Sequence, residues 1–213
     1  DLRASSLLTH ASSPLLVSHC AGARHADELA ACASKEVHVA AMHPFQTFAY
    51  ASERLCAGIA WGIECLPQSE SIASHCVRCT GGTPVILSAA AREHKEMYHS
   101  VAVIASNYMT SLTALARDAA HAADISPLAF IQPIMRTAME NALTSLARDA
   151  APMLTGPIAR GDLATLRRHC HSMSAHPELH RNYVRMGLVT ADVALREHYI
   201  DLHTHNEIVR FFE

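Results

Sequence analysis

Lysine is almost missing from this sequence. Only Lys35 and Lys95 carry an ammonium; the other fifteen of the seventeen fixed cations are arginines, and sixteen histidines stand beside them. The net charge is -3 with histidine neutral, and there is no basic or acidic tail. That balance excludes the electrostatic footprint of a nucleic-acid partner. So many imidazoles make the charge mobile between about pH 5 and 8 instead. No apolar run approaches the roughly 18 residues needed to span a bilayer. The first residues also lack the basic flank, apolar stretch and small-residue cleavage site of an export signal. The expectation is a soluble, cytoplasmic chain with no membrane partner. It starts at Asp1 rather than at methionine, which leaves open residues upstream.

Further absences narrow the chemistry. The seven cysteines, at 20, 32, 56, 65, 76, 79 and 170, form no regular framework, and their odd number leaves at least one unpaired. They read as reduced thiols. One Cys-x-x-Cys occurs in "HCVRC" (75–79), and "HCH" (169–171) and "HTH" (203–205) add histidine pairs. No second Cys-x-x-Cys joins the first to complete a four-ligand set, so no metal is expected. There is no Gly-x-Ser-x-Gly elbow for a nucleophile, and "RCTGGTP" (78–84) lacks the lysine of a phosphate-cradling loop.

What remains is a globular composition, half apolar and 17% charged over 213 residues, enough for one large domain or two small ones. Up to about residue 88, short β-like runs alternate with helical or turn-rich segments. "LLVSH" (15–19), "VHVAAMH" (37–43), "IAWGIEC" (59–65) and "TPVIL" (83–87) are candidate strands; "HADELAACA" and "SESIASHCVRCT" lie between them as candidate helices. That alternation predicts an α/β layer with a largely parallel sheet. From Ala89 the β signal stops. Residues 89–122 contain neither glycine nor proline, which predicts one helix about 50 Å long. Further helices are predicted over 127–148, 163–174 and 177–199, with a short one near the C-terminus. The fold class is therefore α/β followed by all-α, with domains at 1–88 and 89–213.

Three constellations can carry chemistry. "MHPFQTFA" (42–49) places His43 and Pro44 at the carboxyl end of a predicted strand, where open α/β sheets bind ligands. There His43 can donate to a ligand carbonyl, and Gln46 and Thr47 can hydrogen-bond an amide such as nicotinamide. A rigid proline turn with a hydrogen-bonded histidine is the competing reading. In "EMYHSVAVIASNYMT" (96–110), His99 and Ser106 share a helix face, with Asn107 adjacent and Tyr98 nearby. A polar patch in an apolar wall suits a small-molecule site, or a buried network that fixes helix packing. "LTGPIARGD" (154–162) interrupts the helices. Gly156 before Pro157 stops a helix, Gly161 permits left-handed backbone, Asp162 is a good N-cap, and Arg160 stands where an anion is favoured. The loop is either a carboxylate or phosphate clamp or a turn held by an Arg160 to Asp162 contact.

Taken in order, "VSHCAGA", "HPFQTFA", "YHSVAVIASNY" and "LTGPIARGD" resemble a bacterial family, from Asp1 to about Ile200. Its members pair a Rossmann-like N-terminal half with a helical domain of unknown function, in the 6-phosphogluconate dehydrogenase C-terminal-like superfamily. The resemblance implies an NADP-dependent oxidoreductase akin to ketopantoate and pyrroline-carboxylate reductases, and a homodimer formed through the helical domain. It also implies a sheet that is an incomplete Rossmann layer, because the family's Gly-x-Gly-x-x-Gly turn is absent here and Asp1 matches a point just past the fourth Rossmann strand. Related dehydrogenases carry a lysine four residues before an asparagine on the first long helix. Asn107 matches the asparagine, and the lysine position falls on Val103.

The resulting expectation is reduction of a carbonyl or imine of a small acidic metabolite. His99 acts as acid/base, with Ser106 and Asn107 orienting the substrate. Tyr98, Gly156, Arg160 and Asp162 bind substrate, and His43, Pro44, Gln46 and Thr47 meet NADP. The alternative is a non-catalytic dimerisation or ligand-sensing protein that has lost its cofactor half.

Overall fold

A computed structural model describes residues 14–49 and 57–213. Cys56 and the beginning of the family resemblance lie outside the described residues. The chain forms two compact units, Asp1–Met109 and Thr110–Glu213.

The first unit is built on a four-stranded sheet of order β1-β2-β3-β4, with β1 Leu15–His19, β2 Val37–Pro44, β3 Ala60–Cys65 and β4 Thr83–Ile86. β2 is buried at almost every position from Val37 to Met42, and β3 at Trp61, Gly62, Ile63 and Cys65. Runs apolar on both faces suit central strands, and these two occupy the middle of the sheet. Helix α1, Glu70–Cys79, lays Ala73 and Val77, four residues apart and fully buried, onto Ala40, Met42, Trp61 and Ile63.

One detail of the sheet differs from the expected parallel layer. β1 pairs with β2 and β3 with β4 in parallel, but β2 and β3 run antiparallel, with His43 opposite Gly62 and Pro44 opposite Trp61. Parallel neighbours need a crossover, supplied by a 3-10 helix at Ala26–Cys32 after β1 and by α1 after β3. Between β2 and β3 the described residues 45–49 and 57–59 are non-helical.

The expected single helix from 89 is two. Helix α2, Ala89–Glu93, is capped by Ser88, and His94 leaves helical geometry (φ -111, ψ 47) before α3, Lys95–Ala122, begins. The break gives α3 a fresh N-terminus at Lys95. The units divide within α3, whose first half belongs to the sheet-bearing unit.

The second unit contains the rest of α3 and helices α4 Pro127–Ala147, α5 Leu163–Ser172, α6 Pro177–Arg196 and α7 Leu202–Phe212. Proline at the first position of α4 and α6, and side-chain caps from Ser126, Asp162 and Asp201 to α4, α5 and α7, explain why these helices start where they do. Ile158, Leu166, Ala191, Ala194, Ile200, Ile208 and Phe212 form its core. Gly187 permits the closest approach there: a methyl at that position would lie 2.6 Å from the Phe212 ring.

Candidate functional site

Lys95, Tyr98 and His99 occupy positions i, i+3 and i+4 of α3, so they share one helix face. That face meets the sheet edge where β2 delivers His43 and where the turn after β1 delivers Gly22. Two glycines make the approach possible. A methyl on Gly22 would collide with His99 Nδ1 and lie 2.9 Å from His43 Cε1 and Nε2. A methyl on Gly62 of β3 would collide with the Tyr98 hydroxyl. His43 Nδ1 and the Tyr98 hydroxyl are hydrogen-bonded at 3.0 Å. The His43 ring stands edge-on to Tyr98 and to His99, each 5.6 Å away between centroids, and Phe45 covers both His43 and Tyr98.

A charged cluster lies beside this aromatic one. Lys95 is 1% exposed, and its ammonium donates to Glu64 of β3. The other carboxylate oxygen of Glu64 accepts from His25 Nδ1 at 3.2 Å and from the Ala26 amide at 3.3 Å. His19 Nε2 in turn donates to the His25 carbonyl at 3.0 Å. The end of β1 and the turn after it, the carboxyl end of β3 and the start of α3 are thereby tied together.

The electrostatics follow from burial. Desolvation first, then the neighbouring His99 and Lys95, lower the His43 pKa below its ordinary 6.5, so His43 is neutral at pH 7. Burial raises the Tyr98 pKa above 10 and keeps it a phenol. A phenol that donates to Nδ1 leaves the His43 proton on Nε2, the atom facing Gly22. Burial pushes the Glu64 carboxyl up, but the hydrogen bond and charge of Lys95, with His25 and the Ala26 amide, outweigh it and hold Glu64 ionised. His99 Nδ1 is buried and finds no hydrogen-bond partner among the described residues. Two imidazoles and a phenol packed at a strand end can hold a polarised carbonyl and move a proton.

The structure thus brings together three of the residues read from sequence: His43, Tyr98 and His99. Pro44 closes β2 beside them. Gln46 and Thr47 are exposed just beyond, the Gln46 side-chain oxygen accepting from the Thr47 amide at 2.9 Å. Ser106 and Asn107 lie about two turns further along α3. The Ser106 hydroxyl donates to the Ala102 carbonyl at 2.7 Å and approaches Asn107 Oδ1 at 2.9 Å, and Asn107 is exposed.

In the second unit, "LTGPIARGD" is a closely built turn. Gly156 (φ 100) and Gly161 (φ 64) supply the left-handed backbone, Ile158 enters the core, and Tyr199 bridges the Pro152 carbonyl and the Leu154 amide. Asp162 accepts from the Thr165 amide and hydroxyl at 3.0 and 2.7 Å, and Arg160 is exposed.

Sequence reasoning missed Lys95, Glu64, His25 and Gly22. A signal existed for the first two. Lys95 is one of two lysines and precedes Tyr98 and His99 at helical spacing. Glu64 sits alone in "AWGIEC", where a carboxylate on a buried strand demands a cation.

Among the described residues no three His, Cys, Asp or Glu side chains gather as metal ligands, and no helix is long and apolar enough to cross a membrane. The six described cysteines are free thiols. No curated protein matches the chain. Among solved structures, the chain is similar to protein TM1727 from Thermotoga maritima, at 21% identity and TM-score 0.64, covering 86% of this chain and 70% of that one. It is also similar to a Bacteroides fragilis protein named "putative NADP oxidoreductase BF3122", at 19% identity and TM-score 0.61, covering 80% of this chain and 62% of that one. At these identities the likeness shows a shared fold. The sequence family described as "Domain of unknown function (DUF2520)" matches residues 59–190, more than half of the 213, and the chain belongs to it.

Proposed function

We propose that this chain carries the substrate side of an NADP-dependent oxidoreductase that reduces a carbonyl or imine of a small acidic metabolite in the cytoplasm. The observation that supports it most is the interlocked His43, Tyr98 and His99 cluster at the carboxyl end of β2, on a fold shared with a protein named as an NADP oxidoreductase. The described residues fit the nicotinamide end of such a cofactor. Gln46 and Thr47 lie exposed beside His43 and can reach a carboxamide, and His99 offers a buried nitrogen without a described partner. The chain contains no Gly-x-Gly-x-x-Gly for the pyrophosphate.

When bound, NADP supplies or accepts the hydride. The protein's part is the proton and the alignment. His43, in its neutral form, donates from Nε2 to the substrate oxygen or nitrogen, and Tyr98 fixes that tautomer. His99 holds the proton that the reduced atom takes up. Pro44, Gln46 and Thr47 position the nicotinamide, and Ser106 and Asn107 orient substrate along α3. Arg160, in the turn between Gly156 and Asp162, is the second unit's candidate for binding an anionic group, in its own subunit or a partner's, with Gly156 and Asp162 shaping the turn.

The test is NADPH consumption by the purified full-length protein against a panel of 2-oxo acids and cyclic imines. His99→Gln is expected to lower kcat by about 10²-fold or more, the ordinary loss when a general acid is removed. If the full-length protein binds no NADPH by calorimetry, the oxidoreductase reading fails.

A second reading, a non-catalytic homodimeric or ligand-sensing protein, draws on a different observation. Met97, Val101, Ile104 and Tyr108 form an exposed stripe on α3 at four-three-four spacing, and Leu128, Phe130 and Ile134 are exposed on α4. Both readings include a homodimer formed through these helices, and a monomer in sedimentation equilibrium removes it from both.

A further inference from the structure

A fully buried ammonium is costly to desolvate, and an ion pair in its place is weak evidence for stability. Lys95 is nevertheless the largest fully buried side chain among the described residues, and it sits one helical turn before Tyr98 and His99. Its acceptor, Glu64, is held from the other side by His25 and the Ala26 amide. The cluster therefore clamps the N-terminus of α3 to the carboxyl end of β3 and to the turn after β1. Those are the elements that supply Gly62 against Tyr98 and Gly22 against His99 and His43.

We propose that Lys95 is a positioning residue of this site: clamped by Glu64 and His25, it holds the first turns of α3 against the sheet edge and sets the electric field in which His43 works. The proposal rests on reading His43, Tyr98 and His99 as the reacting cluster. The groups facing His43 are Tyr98, His99 and Lys95 from α3 and Phe45 beyond the end of β2. Glu64 on β3 and His25 after β1 reach it through Lys95. Of these, Lys95 carries the fixed positive charge. Its presence opposes a second positive charge on His43, in the direction that burial and His99 also act.

The experiment is an NMR titration of the imidazoles in the full chain, with the His43 signals assigned by their loss in His43→Gln. The double substitution Lys95→Met with Glu64→Gln removes both buried charges together, and the new amide oxygen still accepts from His25 and Ala26. The expected result is a folded protein by circular dichroism in which the His43 midpoint rises by about half a unit or more. If the double variant does not fold, Lys95→Gln, whose amide can still donate to Glu64, is titrated instead with the same expectation. A folded variant whose His43 midpoint stays at the parent value overturns the proposal. The readout needs no cofactor: failure to bind NADPH would remove the oxidoreductase reading and leave the His43 shift standing, whereas an unmoved His43 would remove Lys95 and leave the oxidoreductase reading to its own test.

Discussion

The two units fill their interiors with different chemistry. In the first, the fully buried side chains include Lys95 beside Ile63 and Val77, and Ser69 and the Trp61 indole nitrogen are buried with it. In the second, they are Leu166 and Ile208, packed on Ala191 and Ala194, and the polar groups described as buried there are Ser145 and the His205 Nδ1, with no buried fixed charge among them. Hydrocarbon burial explains itself, because each such side chain contributes about 1.5–3 kcal/mol when removed from water. A buried lysine does not, because its pairing energy does little more than offset desolvation. The difference teaches where to look for function: in the unit whose interior is harder to build than stability alone requires.

Single substitutions give the largest effects, and they separate the two kinds of interior. Lys95→Met leaves Glu64 ionised and poorly compensated, and is expected to cost about 3–5 kcal/mol. Leu166→Ala leaves a cavity in the helical core and is expected to cost about 3 kcal/mol. The separating measurement is rescue. Adding Glu64→Gln to Lys95→Met should return stability to within about 1 kcal/mol of the parent in urea unfolding, since replacing both partners of a buried pair is often neutral. A double variant as unstable as Lys95→Met would show that the pair is structural after all, and the contrast between the units would fall.

Glycines sharpen the same contrast at a smaller scale. Gly22 is demanded by side chains: its backbone is touched by His43 and His99, with no requirement for left-handed geometry. Gly161 is demanded by the backbone, at φ 64, with Thr204 Cγ2 2.7 Å from where a methyl would sit. Gly22→Ala should cost about 1–3 kcal/mol through overpacking, and it should also displace the imidazoles. Gly161→Ala should cost about 1–2 kcal/mol through strain and leave the His43 titration unchanged. Equal disturbance of His43 by both would contradict the assignment of the site to the first unit.

Much of this architecture was legible in the residues, and the reason differs by element. β1 is found at its expected bounds, and the other strands within a residue or so of theirs, because short apolar runs closed by Gly, Pro and Ser leave little choice. The direction of β3 was not legible. Alternation and burial are local, whereas parallel or antiparallel pairing is a property of two strands placed side by side, which no short run of residues declares. The break at His94 left no glycine or proline to mark it. At the site, His43, Tyr98 and His99 announced themselves as polar groups in apolar runs. Glu64 and Lys95 are 31 residues apart, and a pair that distant becomes visible only when sheet and helix are placed together. The lysine expected four residues before Asn107 is a valine, Val103, and the buried lysine lies at the start of α3 instead.

The smallest expected effect is a difference in acid sensitivity, and its sign can be worked out group by group. The His43 pKa is lowered in the folded state, by burial first and then by His99 and Lys95, so the unfolded chain takes up that proton first. The stability linked to it is complete above the ordinary value of 6.5 and declines as pH falls toward and through the folded midpoint. Glu64, also lowered, behaves alike from its ordinary value of 4.5 downward, where losing its charge leaves Lys95 unpaired. In the second unit the lowered groups are the caps Asp162, through the Thr165 hydroxyl and amide, and Asp201, through the Thr204 amide and hydroxyl. Their loss starts only below the ordinary value of 3.8. The single tryptophan, Trp61, reports the first unit alone, and far-ultraviolet circular dichroism is dominated by the helices, most of which belong to the second. Urea midpoints followed by Trp61 fluorescence should therefore fall between pH 7 and 5 while those followed by dichroism hold until about pH 4. Coincident midpoints at every pH would mean that the units unfold as one, and that the buried charge of the first sets no separate limit on the molecule.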